Sequence, residues 1–429
     1  MLIEFTVGNT LSFKEPVTLS MVAANTKARD PKINENNTII VDDQLTLLTS
    51  TAIYGANASG KSNFIRAMAF MKRFVINSSK ESGIDEPIPI RPFRLSTTTE
   101  SQPSFFQVIF LLDNIKYRYG FEVNRNEVIS EWLFAASSQK ESRVFVRDET
   151  GIHISRSFKE GKGLEAKTRP NALFLSVVAQ WNGQQTRKLI GWFMSVKMIS
   201  GLDDVSYRGF TLHSFDDGSY RQEISKLVTS LDLGIENISS EKMEDDKVKA
   251  LVPDNLPSGL KRVMQREAEN IKISILTTHK KYDESGNPVG SEVFKLRTHE
   301  SDGTEKLFYL AGPFIDVLKN GSILFFDEME ARLHPLITRA LIGLFNSKET
   351  NPKFAQLIFT THDTNLLSNK IFRRDQIWFV EKDHYGCSHL YSLAELKVRN
   401  DASFENDYFE GRYGAVPFLG NVHQVIIEE

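Results

Sequence analysis

Gly55-Ala56-Asn57-Ala58-Ser59-Gly60-Lys61-Ser62 decides how the rest of the chain is read. The string fits G-x-x-x-x-G-K-[ST], a loop that wraps phosphate groups. Its two glycines let the backbone turn tightly and bring N–H groups onto an anion. Lys61 is expected to reach the outer phosphates and Ser62 to offer its hydroxyl to Mg²⁺. A helix starting at this point would aim its positive end at the same charge. Thr51-Ala52-Ile53-Tyr54 reads as a buried strand leading into the loop. Phe64, Ile65, Met68 and Met71 recur at helical spacing on the way out. Strand, glycine loop and helix together make a nucleotide site the first expectation.

The bulk of the chain sets wide limits. Its 429 residues allow one large domain or two to three smaller ones. Hydrophobic content of 41% and charged content of 25% are those of an ordinary globular protein. A net charge of -3 excludes a chain that is basic throughout, although a local basic face stays open. The single cysteine, Cys387, rules out an intramolecular disulfide and suits a reducing cytoplasm. No apolar run reaches transmembrane length, and the start does not read as a signal peptide. The 30 phenylalanines, many in strand-like runs, point to β-rich layers beside the nucleotide core.

Taken in order, residues 1–24 read as two strands joined at Gly8-Asn9-Thr10, the second beginning at Ser12-Phe13-Lys14. Residues 25–37 and 78–85 read as polar loops, and 87–92 as a proline-fixed extended segment. Residues 105–112 and 116–123 form an expected hairpin around Asp113-Asn114, continued by strands at 128–135 and 143–147. From about 165 to 270 helical patterns take over, as at 172–178 and at Ile224, Leu227, Val228 and Leu231, with dense charge over 241–249. This stretch lacks the long heptads of a coiled-coil arm. Residues 271–281 and 292–298 read as another hairpin, and 307–318 as a helix.

The second half of the site is expected near the C-terminus. Ser322-Ile323-Leu324-Phe325-Phe326-Asp327-Glu328 is an apolar run ending in two carboxylates. A buried parallel strand delivers such an end to the ligand crevice. Asp327 is expected to hold Mg²⁺ through water, and Glu328 to polarise the attacking water. Gln356-Leu357-Ile358-Phe359-Thr360-Thr361-His362-Asp363 repeats the pattern, with His362 placed to bond a terminal phosphate. Ser301-Asp302-Gly303-Thr304 precedes a helix and could free backbone N–H groups for a phosphate; on its own it is an ordinary Asp-Gly turn.

Together these four stretches resemble an ABC-type ATPase head, the class shared by SMC-like and OLD-like proteins. The resemblance implies an α/β fold in which a P-loop mixed sheet carries an antiparallel β lobe and a mostly helical insertion. The implied domains are an N-terminal lobe at 1–165, an insertion at 166–270 and a C-terminal lobe at 271–429. It implies ATP and Mg²⁺ as cofactors, with Gly55 to Ser62 around the nucleotide and Ser62 and Asp327 on the metal. Ser301, Gly303 and Thr304 become the signature segment, which closes on the ATP of an opposite subunit. Residues 327–335 become Walker B plus D-loop, with Glu328 and His362 catalytic.

A closer likeness is to compact prokaryotic ATPases of the RloA and AbiL type, from anti-phage and abortive-infection modules. It rests on Ser12-Phe13-Lys14, Pro92-Phe93-Arg94-Leu95, Leu231-Asp232-Leu233-Gly234-Ile235, Arg374-Asp375-Gln376-Ile377-Trp378-Phe379 and Gly411-Arg412-Tyr413-Gly414-Ala415-Val416-Pro417. The signature departs from Ser-Gly-Gly, and Glu330-Ala331-Arg332 stands where relatives carry Asp-x-Ser before Leu-His-Pro. Gln107 is the candidate for a Q-loop glutamine. The likeness implies a homodimer or higher oligomer, and control of a separately encoded RloB-like or Toprim-like nuclease or toxin. Two other readings stand beside it. A DNA-repair head would bind DNA directly, but Lys261, Arg262 and Arg266 are few for a basic stripe. A non-hydrolysing scaffold sits poorly with intact Lys61, Asp327 and Glu328.

Overall fold

The computed structural model describes residues 1–26, 28–80, 83, 86–137, 140–231, 234–242, 272–399 and 402–417. Strands β1 (Leu2–Gly8) and β2 (Val17–Ser20) open the chain, followed by the short helix α1 (Pro31–Asn36) and the strand pair β3 (Thr38–Ile40) and β4 (Thr46–Leu48). Strand β5 (Ser50–Tyr54) then feeds the glycine loop and helix α2 (Lys61–Asn77). Strands β6 (Ser104–Leu112), β7 (Ile115–Val123), β8 (Val128–Ala136), β9 (Ser142–Asp148) and β10 (Gly151–Ile154) follow. They join β1 and β2 in one seven-stranded sheet of order β10-β9-β8-β7-β6-β1-β2. The β6–β7 turn is tight because Asp113 and Asn114 both take positive φ, 51° and 61°. That geometry matches the twist of the flanking strands, and short polar residues tolerate it.

Helices α3 (Phe174–Gln180) and α4 (Gln184–Ser195) come next, and α4 runs without a break into strand β11 (Val196–Ser200). Beyond it lie α5 (Val205–Asp216), α6 (Arg221–Thr229), β12 (Ile235–Lys242), β13 (Ile273–Tyr282), β14 (Pro288–Lys295), the short α7 (Leu296–His299) and α8 (Asp302–Asn320). The C-terminal portion contributes β15 (Ile323–Asp327), α9 (Pro335–Phe345), β16 (Gln356–Thr360), β17 (Ile377–Lys382), β18 (Ser388–Ser392) and α10 (Phe404–Phe409). A six-stranded sheet has the order β11-β15-β16-β5-β17-β18, with β15, β16, β5 and β17 parallel in sequence along it. The central strands β5 and β16 are buried at every residue, as expected for parallel strands covered on both faces. The fold is α/β with two large sheets.

By contacts the chain divides into two compact units. The first comprises 1–198, 321–329 and 342–429. Its core lies between the two large sheets, filled by α2: Phe64 meets Phe5 at 5.2 Å, and Phe70 meets Phe106 at 5.1 Å. Ile53, Phe325, Ile358 and Val380 of the parallel sheet belong to the same apolar cluster as Phe106, Phe121 and Leu133 of the antiparallel one. The second unit comprises 199–320 and 330–341. In it α8 packs on α5, with Phe215 and Phe308 5.4 Å apart and Thr211 donating to the Tyr309 carbonyl. Gly312 permits that approach, since a Cβ there would sit 2.5 Å from Thr211 Oγ1.

Several expectations shift. The second N-terminal strand starts at Val17, because residues 9–14 form a turn with Asn9 and Leu11 at positive φ. Residues 25–37, expected as loop, hold α1, capped by the Asp30 carboxylate on Lys32 N–H. The stretch 166–270 is not helical throughout: β11 is an edge strand of the parallel sheet, and β12 pairs with β13 in a small three-stranded sheet. Strand β11 is five residues long and has no Gly or Pro separating it from α4, so no turn signal marks it. The helix expected at 307–318 begins earlier, at Asp302, inside the signature segment. Residues 232–233 and 243–271, with Lys261, Arg262 and Arg266 and most of the charge-dense run, lie outside the described residues. No described helix is long and apolar enough to cross a membrane.

Candidate functional site

The loop between β5 and α2 is shaped by packing from behind. Gly60 has φ of 119°, and a Cβ there would lie 2.4 Å from Ser388 Oγ and 2.7 Å from Ser12 Oγ. A Cβ at Gly55 would lie 2.3 Å from the Val380 carbonyl oxygen. Both glycines are therefore required by close approach. Ser388 Oγ donates to the Ser59 carbonyl at 2.5 Å, and Asn63 Nδ2 donates to Ser12 Oγ at 2.9 Å. Ala58, at the exposed crest, takes φ of 60°. Lys61 is buried along its stem, and its Nζ donates to the carbonyls of Gly55 at 2.8 Å and Ala56 at 3.1 Å. Ala56 is half-buried and Asn57 is exposed. Ser59 Oγ is buried with no hydrogen-bond partner, a polar atom left over inside the loop.

Three strand ends converge at the N-terminus of α2. Asp327, at the end of β15, accepts through Oδ1 from Ser62 Oγ at 3.1 Å and from Thr360 Oγ1 at 2.6 Å. Thr360, at the end of β16, accepts in turn from Glu328 N–H at 2.8 Å, and its carbonyl accepts from Met329 N–H. Glu328 is held at φ of 53°, a left-handed conformation that costs a non-glycine residue on the order of 1–3 kcal/mol. The Thr360 hydroxyl and carbonyl over-determine that conformation. His362 is exposed two residues further on, and the Asp363 carbonyl accepts from Tyr54 OH of β5 at 3.4 Å. The P-loop residues, Asp327, Glu328 and His362 thus all belong to the ends of adjacent parallel strands.

This donor set fits a nucleotide with Mg²⁺. A hydroxyl and a carboxylate suit a hard cation that keeps several waters and takes its remaining ligands from phosphates. Among the described residues no group of three or more His, Cys, Asp or Glu could hold a metal by itself. The Ser62 hydroxyl beside the Asp327 carboxylate supplies the partial coordination that suits an Mg–nucleotide.

Ser301, Gly303 and Thr304, expected as a signature segment, occupy the second compact unit. Ser301 Oγ accepts from Thr304 N–H at 3.1 Å and pairs with Thr304 Oγ1 at 2.9 Å, so it caps α8. Ser301 and Asp302 are exposed, Gly303 half-buried and Thr304 buried. Just before them, Glu300 Oε1 takes Thr277 Oγ1 at 2.5 Å and His279 Nε2 at 2.6 Å from β13. His334 accepts from Leu336 N–H, and Pro335 opens α9 where its missing N–H costs nothing.

Gln107 is displaced as a Q-loop candidate. It sits in β6 opposite Thr6 and Gly120, and its Oε1 accepts from Trp132 Nε1 at 3.1 Å and Arg118 Nη1 at 3.5 Å. Its amide oxygen is engaged inside the antiparallel sheet. Residues given no place at the site from sequence are Ser12 and Ser388 behind the loop, Thr360 beside Asp327, and the Glu300 carboxylate. Ser12 stands in one of the quoted motifs, and Thr360-Thr361 closes the apolar run Leu357-Ile358-Phe359 with two hydroxyls.

A family profile described as "AAA domain, putative AbiEii toxin, Type IV TA system" matches residues 50–368. The chain belongs to this AAA-domain family. The match takes in the P-loop strand, Ser301, Asp327 and His362 of the AAA-domain chain. No curated protein matches it significantly. Among solved structures, the SMC head domain from Thermotoga maritima is 15% identical, covering 92% of this chain and 99% of its own, with a TM-score of 0.40. The cbiO1 structure from Clostridium perfringens, described as part of the ABC transporter complex cbiONQ, is 10% identical, covering 96% and 92%, with a TM-score of 0.29.

Proposed function

We propose that this AAA-domain chain is an ABC-type ATPase that binds Mg–ATP at residues 55–62, closes head to head with a second copy and opens after hydrolysis. The observation that carries the nucleotide reading is Asp327. One of its carboxylate oxygens receives hydrogen bonds from the first turn of the P-loop helix and from the end of β16. Three elements far apart in sequence are tied to a single acceptor at the phosphate-binding end of the sheet.

The backbone N–H groups of the loop and the Lys61 ammonium bind phosphate oxygens. Ser62 and Asp327 would hold Mg²⁺, which when bound screens phosphate charge. Glu328 orients a water and accepts its proton, its backbone fixed by Thr360. His362 adds a donor at the terminal phosphate. Ser301, Gly303 and Thr304 contact the nucleotide of the facing subunit, so closure and nucleotide state form one equilibrium.

The output is control of a separately encoded toxin or nuclease in anti-phage defence, exerted in the cytoplasm. The RloA- and AbiL-like motifs support it, as does the toxin–antitoxin wording of the family. Phosphate release by wild type, Lys61→Ala and Glu328→Gln tests the enzyme. Activity equal in all three refutes the site. Co-expression with the neighbouring open reading frame tests the partner. Co-purification whose yield changes with ATP supports the control reading, and no association with or without ATP counts against it.

A further inference from the structure

Lys306 lies five residues past Ser301, in the second turn of α8, and is 5% exposed. Its Nζ donates to the Gly201 carbonyl at 2.7 Å and to the Ala331 carbonyl. Burying an ammonium group is costly unless its donors are met, and here two main-chain oxygens accept from it. The two carbonyls come from separate places: one follows β11, the other lies in the turn 330–333 after the Walker B strand. A second contact reinforces the first. An ideal Cβ at Gly303 would approach the Arg332 carbonyl to 3.0 Å, so the first turn of α8 lies directly on that turn. Successive carbonyls, Ala331 and Arg332, thus meet Lys306 and Gly303. The turn itself is closed by Leu333 N–H on the Glu330 carbonyl, with Arg332 at φ of 61°. All these residues belong to one compact unit.

We propose that Lys306 is a positioning residue that fastens the signature segment 301–304 to the D-loop turn 330–333. The two then meet the facing subunit as one surface. This rests on the composite-site reading given above. The lock also accounts for a departure in sequence. Glu330-Ala331-Arg332 lacks the Asp-x-Ser pattern, yet the contact is made through main-chain carbonyls that any side chain leaves available. What the lock requires is the long cationic stem at 306, and glycine at 303 lets the two segments approach most closely.

Lys306→Met, Lys306→Gln and Lys306→Arg in the full chain test this. Lys306→Met is expected to lower kcat on the order of 10–100-fold, as small misplacements of a reacting surface do. Affinity for a fluorescent ATP analogue should stay within about twofold of wild type, because the P-loop is untouched. Amide hydrogen exchange should speed up in 301–304 and 330–333 together. Lys306→Arg, which keeps a cation with several donors, should recover part of kcat. If Lys306→Met does not fold, Lys306→Gln, a neutral donor, carries the comparison. Wild-type kcat and exchange in a folded Met or Gln variant overturn the lock, as does exchange rising everywhere alike. If wild type itself hydrolyses no ATP, the composite-site reading fails, while the exchange pattern still judges the lock.

Discussion

Asp327 and Glu328 are adjacent in sequence but are held by different means. Asp327 ends a buried strand and accepts from Ser62 and Thr360, whereas Glu328 is bent into a left-handed conformation that Thr360 stabilises. Thr360→Val keeps the shape of the side chain and removes both hydrogen bonds of the hydroxyl. We expect kcat to fall about 10–100-fold, the usual cost of losing a group that orients a catalytic shell, with nucleotide affinity changed less. Steady-state turnover beside equilibrium binding checks it, and an unchanged kcat would remove Thr360 from the machinery. Lys61→Ala should abolish tight ATP binding in calorimetry with Mg²⁺ present. Gly60→Ala should also weaken binding, roughly tenfold or more. The new methyl has no room beside Ser388 and Ser12, and left-handed strain of about 1–3 kcal/mol opposes it.

Among the elements, α3 shows a buried charge in use. Glu131 of β8 is fully buried, and its carboxylate accepts from Phe174 N–H at 2.6 Å, Leu175 N–H at 3.0 Å and Tyr119 OH at 2.9 Å. It therefore ties the start of α3 to the antiparallel sheet. Burial pushes its pKa above the ordinary carboxylate value, and the hydrogen bonds and Arg147 only partly offset this. The folded chain thus holds this proton more tightly than the unfolded one. Stability from this group falls as pH rises from the ordinary carboxylate value through the raised folded value. Glu131→Gln does not titrate. Wild-type stability relative to Glu131→Gln should be greatest in acid and decline toward neutral pH in urea denaturation. A constant difference from about pH 4 to 8 would show that the carboxylate titrates alike in both states.

For the whole molecule, the proposed cycle makes association a readout of chemistry. Glu328→Gln retains Asp327, and hydrolysis should fall roughly 10²–10⁴-fold, the range for loss of a general base. The ATP-bound dimer should then accumulate in light scattering. Ser301→Arg should block it, because a bulky cation stands at the facing contact while each loop still binds ATP. A Glu328→Gln chain that binds ATP yet keeps its apo association state would refute head-to-head closure.

What the sequence determined by itself was local. The glycine loop, the strand before it, the helix after it, the Asp113-Asn114 hairpin and the two apolar strands ending in Asp327 and near His362 are written in short runs. Neighbouring residues impose those conformations, so spacing and turn chemistry suffice. The tertiary structure decided what depends on distant partners. It placed β16 between the strands of the P-loop and Walker B, and gave β11 to the same sheet although nothing marks it off from α4. It gave Gln107 to Trp132 and Arg118, and set Ser12 and Ser388 behind Gly60. Nothing in the run around Lys306 marks its amine for the carbonyls of Gly201 and Ala331. Main-chain carbonyls are the same at every residue, so a contact made to them leaves no pattern in the sequence to be read.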